Sequence, residues 1–385
     1  MRVRRCMHLL LEPSERVSFG FAAILRGKVE VESEVSWVAL AAHLGQAVVV
    51  DAAERALLCA TSAHRWHEPS PEQLGSAACM RLLELGLLVG DQPEHADHRA
   101  RDQAVRDAHW WLPAAIMHGH SRWQGVDSVD EMHSQGLVTA ADLRRSFGPP
   151  PPAVRSHEGI YAPLPREAGT AFDAMLERRA TCRNFDTGRA LPLPLLGQLL
   201  QRSVMAQATL EAAPDTVFLK KNVPSGGGLH PVEAYLLVQN VEGLVPGLYH
   251  YHPLEHGLLA LPSPPPPDMR ELARRLLSGQ DWFADAPAMV ILAPRFERCF
   301  WKYRNHAKAY RAIVLDVGHL SQMLYTCATE AGLGAFVTAA INEIDIDRAL
   351  GLAGVQQGAM ADFGLGWRAS QPATTEFDPA HRVWA

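Results

Sequence analysis

Apolar positions recur at helical spacing in the first part of this chain and give way to alternating strand-like and helix-like runs in the second. Asp51 precedes Ala-Ala-Glu-Arg-Ala-Leu-Leu-Cys-Ala, an N-cap in front of an apolar face. Ser70 caps a second helix, with Pro71 at its first position and Gln73 where a capping box needs it. That helix is predicted to run through Met80 and Leu83 to Gly86. Leu87-Leu88-Val89 then reads as a short strand, and helix, glycine, strand is how a small winged-helix module ends. Residues 105–160 hold Trp110, Trp111 and Trp123 without a clear period, so irregular connecting helices are expected there. Further on, residues 234–239 and 287–293 are apolar runs predicted as central strands. Residues 247–253 and 257–262 read as a hairpin. Residues 310–333 form a long apolar helix closed by Gly332 and Gly334. No internal repeat is visible.

Two proline runs punctuate this pattern. Pro149-Pro150-Pro151-Pro152 cannot continue a helix and reads as a linker; Pro264 to Pro267 reads as a surface loop inside the second part. The expected organisation is a winged-helix-like module over 1–110, a connecting segment with the proline-rich linker over 111–164, and an α+β domain over 165–385. The module has two open readings, a folding cap for the second domain or a peptide-docking unit. It lacks the basic face of a DNA reader.

Composition narrows the classes. The 385 residues are 48% hydrophobic and 20% charged, ordinary for a soluble globular protein. There is no apolar run of about twenty residues for a membrane span. The apolar N-terminal stretch is too short for a signal peptide and is interrupted by Glu12, so a cytoplasmic location is expected. A net charge of -6 argues against a general nucleic-acid binder. Six scattered cysteines without a CxxC pair read as buried reduced thiols. His118 and His120 have no second ligand cluster near them and read as surface or loop histidines, so no metal is expected.

Four clusters carry the chemistry. Arg179, Thr181 and Arg183 precede Phe185; arginine forks and a hydroxyl suit phosphate oxygens, although such a run alone is more often a solvated helix end. Pro224-Ser225-Gly226-Gly227-Gly228-Leu229-His230-Pro231 would let backbone approach a planar ligand; the alternative is a plain turn. Lys302 beside Tyr303 offers a proton-transfer pair, or merely a snorkelling lysine on a helix face. Gly332-Leu-Gly334-Ala335 and Gly364-Leu-Gly-Trp-Arg368 are glycine-punctuated turns, the second ending in a cation.

In this order and spacing the motifs resemble the nitroreductase superfamily, and more closely the SagB-type dehydrogenases, azoline oxidases of ribosomal peptide maturation. The resemblance rests on Arg-x-Thr-x-Arg-x-Phe, Pro-Ser-Gly-Gly-Gly-Leu-His-Pro-x-Glu-x-Tyr, Pro-Gly-Leu-Tyr-His-Tyr-His-Pro, Trp-Lys-Tyr, Tyr-Arg-x-x-x-Leu-Asp-x-Gly-His and Glu-x-Gly-Leu-Gly, spread over 177–368. It implies a nitroreductase fold, a mixed sheet flanked by helices in an interlocked homodimer with FMN at the interface. Arg179, Thr181 and Arg183 would hold the FMN phosphate and ribityl chain, with Arg368 near the phosphate. Ser225, Gly226 and Gly227 would line the ring, and Gly334 and Ala335 its other polar edge. Lys302 and Tyr303 would abstract the substrate proton. The chain departs from the pattern at Ala180, where an arginine is usual, at Thr181 for serine, and at His230, which replaces a tyrosine on the substrate side.

The activity this implies is FMN-dependent oxidation of azoline to azole, or a similar desaturation, in a precursor peptide, alongside a cyclodehydratase or other maturation enzyme. Other peptide modifications, a NAD(P)H-dependent nitro or quinone reductase, and a non-catalytic scaffold stay open on the sequence.

Overall fold

The computed structural model describes residues 1–19, 31–261 and 269–384. The Pro264–Pro267 run lies outside the described residues. The chain forms two compact units. One gathers Met1–Arg122, Arg295–Ile313 and Ala353–Gly358; the other gathers Trp123–Pro294, Val314–Leu352 and Ala359–Ala385. This grouping departs from the partition at 110 and 164 in one way that matters. Arg295–Ile313, with Lys302 and Tyr303, groups with the N-terminal residues.

In the first unit, Asp51 and Glu54 close a reciprocal capping box on helix Ala52–Ala60, and Ser70 and Gln73 close another on Pro71–Leu74. The single helix predicted from Ser70 to Gly86 is two helices. The first stops at Gly75, and the Ser76 hydroxyl caps a new one, Ala77–Glu84, because a serine there offers the backbone a competing start. Strand Leu88–Gly90 follows and pairs antiparallel with Val3–Arg5. A long hairpin, Leu9–Phe19 with Val31–Ala41, joins Ala47–Val50 in a three-stranded sheet that the sequence pattern did not suggest. Leu9, Ala39 and Ala41 enter a core with Leu58, Leu82 and Leu88, but residues 12–18 are exposed. Buried Asp102 accepts the Met7 N–H at 2.7 Å and pairs with Arg106 at 2.6 Å and Arg4 at 3.4 Å. Five cysteines are buried as expected; Cys59 is exposed, and all six are free.

The second unit is built on a six-stranded sheet. From edge to edge the strands are Gly257–Ala260, Gly247–His252, Val232–Val238, Ala288–Pro294, Ala361–Gly366 and Gly334–Thr338. All neighbouring pairs are antiparallel. The parallel component of the expected mixed sheet is confined to isolated bridges, Thr181 with Ala335 and Leu191 with Val241. Side chains alternate across the sheet, and both faces are covered. Ala234, Leu236, Val290, Leu292, Phe363 and Leu365 meet helices Leu193–Ser203 and Ala309–Glu330 through Leu196, Leu200, Leu320 and Leu324. Leu237, Met289, Ile291 and Phe336 face Leu272, Leu276, Phe283 and Ile346 of helices Met269–Leu276, Asp281–Ala284 and Glu343–Leu350. This two-sided burial explains why the central strands read as continuous apolar runs. Gly364 pairs with Phe336; a Cβ there would lie 2.0 Å from the ring, which itself stacks on Phe283 at 3.9 Å. No helix among the described residues is long and apolar enough to cross a membrane.

Two acidic residues in this unit stand out. Asp362, in register with Ile291 and Thr338, is 1% exposed, and neither carboxylate oxygen has a partner within hydrogen-bond geometry among the described residues. Burial pushes its pKa up to about 7, with the Phe363 N–H pulling the other way. Glu376 lies in the C-terminal segment and its side chain is fully buried. It accepts the Arg183 N–H at 2.6 Å, the Asn184 N–H at 3.1 Å, the Asn184 side-chain amide at 2.8 Å and the Trp384 indole N–H at 2.8 Å, and it pairs with Arg368. Burial alone would raise its pKa, but these hydrogen bonds and the Arg368 charge hold it below the usual range. Asn184 clamps the same segment, accepting the Ala373 and Thr374 N–H groups at 2.8 and 2.7 Å.

The folded state holds a proton on Asp362 up to about pH 7 that the unfolded state releases near pH 4, so this group's contribution to stability is complete below about pH 4 and lost as pH rises through 7. Asp362→Asn is therefore expected to match wild type in urea unfolding at about pH 4 and to exceed it by up to roughly 4 kcal/mol above pH 7; a difference that does not change with pH contradicts this. Glu376→Ala, which strands the largely buried Arg368, is expected to lower stability by about 3–5 kcal/mol in the same titration at neutral pH; a loss below about 1 kcal/mol would show the pair to be a weak surface contact.

Candidate functional site

The arginine-rich run is extended backbone fastened to a sheet edge. Helix Ala171–Glu177, capped by Thr170, ends at Arg178. The chain then passes along strand Gly334–Thr338, where the Cys182 N–H donates to the Ala335 carbonyl at 2.8 Å. The Tyr325 hydroxyl reaches the same carbonyl at 3.0 Å and the Thr181 hydroxyl at 3.1 Å. Burial raises the Tyr325 pKa. The exposed Arg179 places its guanidinium 5.3 Å from the Tyr325 ring. Half-buried Arg183 lies 6.0 Å from the Phe283 ring. Ala180 is buried and its carbonyl accepts from Arg368 at 2.7 Å. Arg368 is thus committed on one side to Ala180 and on the other to Glu376. Gly334 is small for a packing reason: a Cβ there would lie 2.5 Å from the Cys182 sulfur and 2.8 Å from Arg368.

The glycine loop, in the same unit, is a short turn over Gly226–Gly228. Gly227 has φ 65° and Gly228 φ 70°, the left-handed region that glycine enters without strain, and no atom lies within 4 Å of a Cβ built on Gly228. His230 also has positive φ, at 45°. Asp316, from helix Ala309–Glu330, bonds the Ser225 hydroxyl and the Gly226 N–H. Lys221, Ser225, His230 and Asp316 together line a small cavity beside the loop.

Lys302 and Tyr303 belong to the other unit, at the end of helix Phe296–Lys302. Lys302 is exposed and Tyr303 half-buried, and the ammonium lies 5.4 Å from the Tyr303 ring centre. Apart from that contact, neither side chain's polar tip has a partner among the described residues. The helix itself is held rigidly. Phe296 and Phe300 pack on the buried Trp110 at 4.8 and 4.7 Å, and His118 stacks on Trp110 at 5.0 Å. His118, expected at the surface or in a loop, is 3% exposed. Its two ring nitrogens meet the Tyr310 hydroxyl at 3.2 Å and the Gly354 carbonyl at 3.0 Å. Burial, aided by the nearby Arg122 charge, pushes its pKa down to about 3, so it is a neutral member of an aromatic cluster. No cluster of three metal-ligating side chains occurs among the described residues.

The arginine-rich run and the glycine loop thus lie in one unit and the lysine–tyrosine pair in the other. A roomier apolar groove, lined by Leu196, Leu200, Leu244, Tyr251 and Leu258, contains none of these residues. Sequence reading quoted Asp316 only as part of a motif and missed Glu376, Asn184 and Tyr325. No local pattern marks the last three, since each acts on residues far away in the chain.

Comparison with known proteins gives the family of the second half of the chain. The Nitroreductase family pattern matches residues 176–367. A Methanocaldococcus jannaschii protein provisionally named as a nitroreductase is 33% identical over 126 residues, 33% of this chain and 61% of that protein. The trifolitoxin-processing protein TfxB of Rhizobium leguminosarum is 29% identical, over 45% of this chain and 46% of that protein. The microcin B17-processing protein McbC of Escherichia coli is 29% identical, over 32% of this chain and 45% of that protein. The chain therefore spans about half to three-fifths of these relatives' lengths. The matched stretch covers the arginine run, the glycine loop and the sheet, and ends one residue before Arg368. Residues 176–367 of this chain form a nitroreductase-family domain.

Proposed function

We propose that this chain is an FMN-dependent dehydrogenase that oxidises azoline rings to azoles, or performs a similar desaturation, in a ribosomally made and modified peptide. The observation that carries the reading is the presence in one chain of a cation-and-hydroxyl run on a sheet edge and a lysine–tyrosine pair with free polar tips. Relatives named for trifolitoxin and microcin B17 processing support the peptide substrate.

The donor set fits a phosphorylated planar ligand. Arg179, Arg183 and Thr181 combine two forks with a hydroxyl, and open space lies over Gly228. Arg179 and Arg183 would balance the phosphate charge; Arg368, already paired with Glu376, would frame the run. Ser225, Gly226 and Gly227 would line the ring, and Gly334 and Ala335 would close the cradle at the strand. Bound FMN would supply the hydride acceptor. Lys302 or Tyr303 would take the acidic ring proton as a hydride leaves the neighbouring carbon, so the ring loses one proton and one hydride and becomes aromatic. His230 would face the substrate.

The N-terminal residues would dock the precursor peptide, and a cyclodehydratase would supply the azoline in the cytoplasm. A homodimer is proposed because helix Ala309–Glu330 leaves Val314 and Leu315 exposed, at 47% and 62%, beside an uncrowded Gly318. The purified chain is expected to be yellow and to release about one FMN per protomer. Lys302→Ala is expected to keep its FMN and to slow peptide oxidation by about 10²–10⁴-fold. A colourless chain that takes up no added FMN, or a Lys302→Ala variant with full activity, would refute the reading.

A further inference from the structure

The shape of the glycine loop is set from outside it. Asp316 is 4% exposed on helix Ala309–Glu330. Its Oδ2 accepts the Ser225 hydroxyl at 2.5 Å and its Oδ1 accepts the Gly226 N–H at 3.0 Å. Ser225 Oγ in turn accepts the His230 N–H at 2.9 Å, and the Ser225 carbonyl accepts the Gly228 N–H at 3.0 Å. The Leu229 N–H points back to the Gly226 carbonyl at 3.5 Å. The Gly227 N–H stays unspent: Gly227 is exposed, left-handed, and its N–H has no partner among the described residues.

We infer that Asp316 is a positioning residue for the flavin ring. By consuming the Ser225 and Gly226 donors it locks the loop in the one shape that leaves the Gly227 N–H for a polar ring edge. Ser225 and Gly226 then shape the surface under the ring, and the hydrogen bond comes from the residue between the spent donors. A free loop would have to order itself on binding, and a buried carboxylate with two hydrogen bonds to the loop removes that cost beforehand. Burial raises the Asp316 pKa, while the Ser225 hydroxyl, the Gly226 N–H and His319 pull it down. The positioning role does not depend on its charge, because an amide can make the same two contacts.

The inference rests on the FMN reading, and the test separates the two. FMN and riboflavin affinities of the full chain are measured by quenching of flavin fluorescence. Riboflavin has the same ring without the phosphate. Asp316→Ala is expected to weaken both ligands by the same factor, about tenfold, and to shift the visible band of the bound flavin. Asp316→Asn keeps an acceptor for Gly226 and presents a donor to Ser225 Oγ, so it should restore both affinities to within about threefold. Should Asp316→Ala fail to fold, Ser225→Ala carries the test, with an expected loss of several-fold for both ligands. Unchanged affinities, a loss confined to FMN, or no rescue by Asn would overturn the inference while leaving the FMN reading standing. A wild-type chain that binds neither flavin ends both.

Discussion

The carbonyl oxygen of Ala335 receives two donors, the Cys182 N–H and the Tyr325 hydroxyl. It belongs to strand Gly334–Thr338, which stands at the edge of the six-stranded sheet. Such an edge leaves a row of backbone groups to be satisfied. Here the arginine-rich run takes part of that row, so Arg179, Thr181 and Arg183 are carried by the sheet, even though they lie in irregular backbone. The second bridge, Phe185 with Arg368, repeats the device on the next strand's extension. Glu376 completes it by gathering the backbone N–H groups of Arg183 and Asn184 with the Arg368 guanidinium. One buried carboxylate thus ties the backbone of the run to Arg368 and offsets the charge of that guanidinium.

The lysine–tyrosine pair is supported by different physics. Helix Phe296–Lys302 is too short to be stable by itself. Trp110, Phe296, Phe300 and the neutral ring of His118 hold it through aromatic contacts, with the Trp110 indole N–H donating to the Val355 carbonyl at 2.8 Å. All of these residues belong to one unit. The N-terminal residues are therefore part of the scaffold that presents Lys302 and Tyr303, whatever else they bind.

Much of this was legible in the sequence where burial or capping writes a local pattern. The central strands announced themselves because both faces are buried, and Asp51 and Ser70 marked true helix starts. The long N-terminal hairpin did not, because residues 12–18 bury nothing and so carry no alternation. The break at Gly75 was hidden by apolar residues that continue in phase across it. His118 was misread because a histidine saturated by a hydroxyl and a carbonyl looks, in sequence, like any polar residue. Motif spacing grouped the arginine run, the glycine loop and Arg368 as an expected site, and the structure joins Arg368 to the run through the Ala180 carbonyl. The spacing gave no hint that Arg368 has a partner eight residues further on, since the tail that supplies Glu376 has no periodic signal of its own.

The strand order has a consequence for how the molecule is made. Val232–Val238, Gly247–His252 and Gly257–Ala260 follow one another in the chain and pair in that order; Ala288–Pro294 must wait for Ala361–Gly366, near the end of the chain, to cover its second edge. Pairing of such distant segments is slow, because a long loop must close before any contact rewards it. During synthesis the seven-residue apolar strand Ala288–Pro294 therefore presents an open edge until Ala361–Gly366 has emerged. That interval, more than the finished fold, is where this protein is exposed to aggregation and most in need of chaperones.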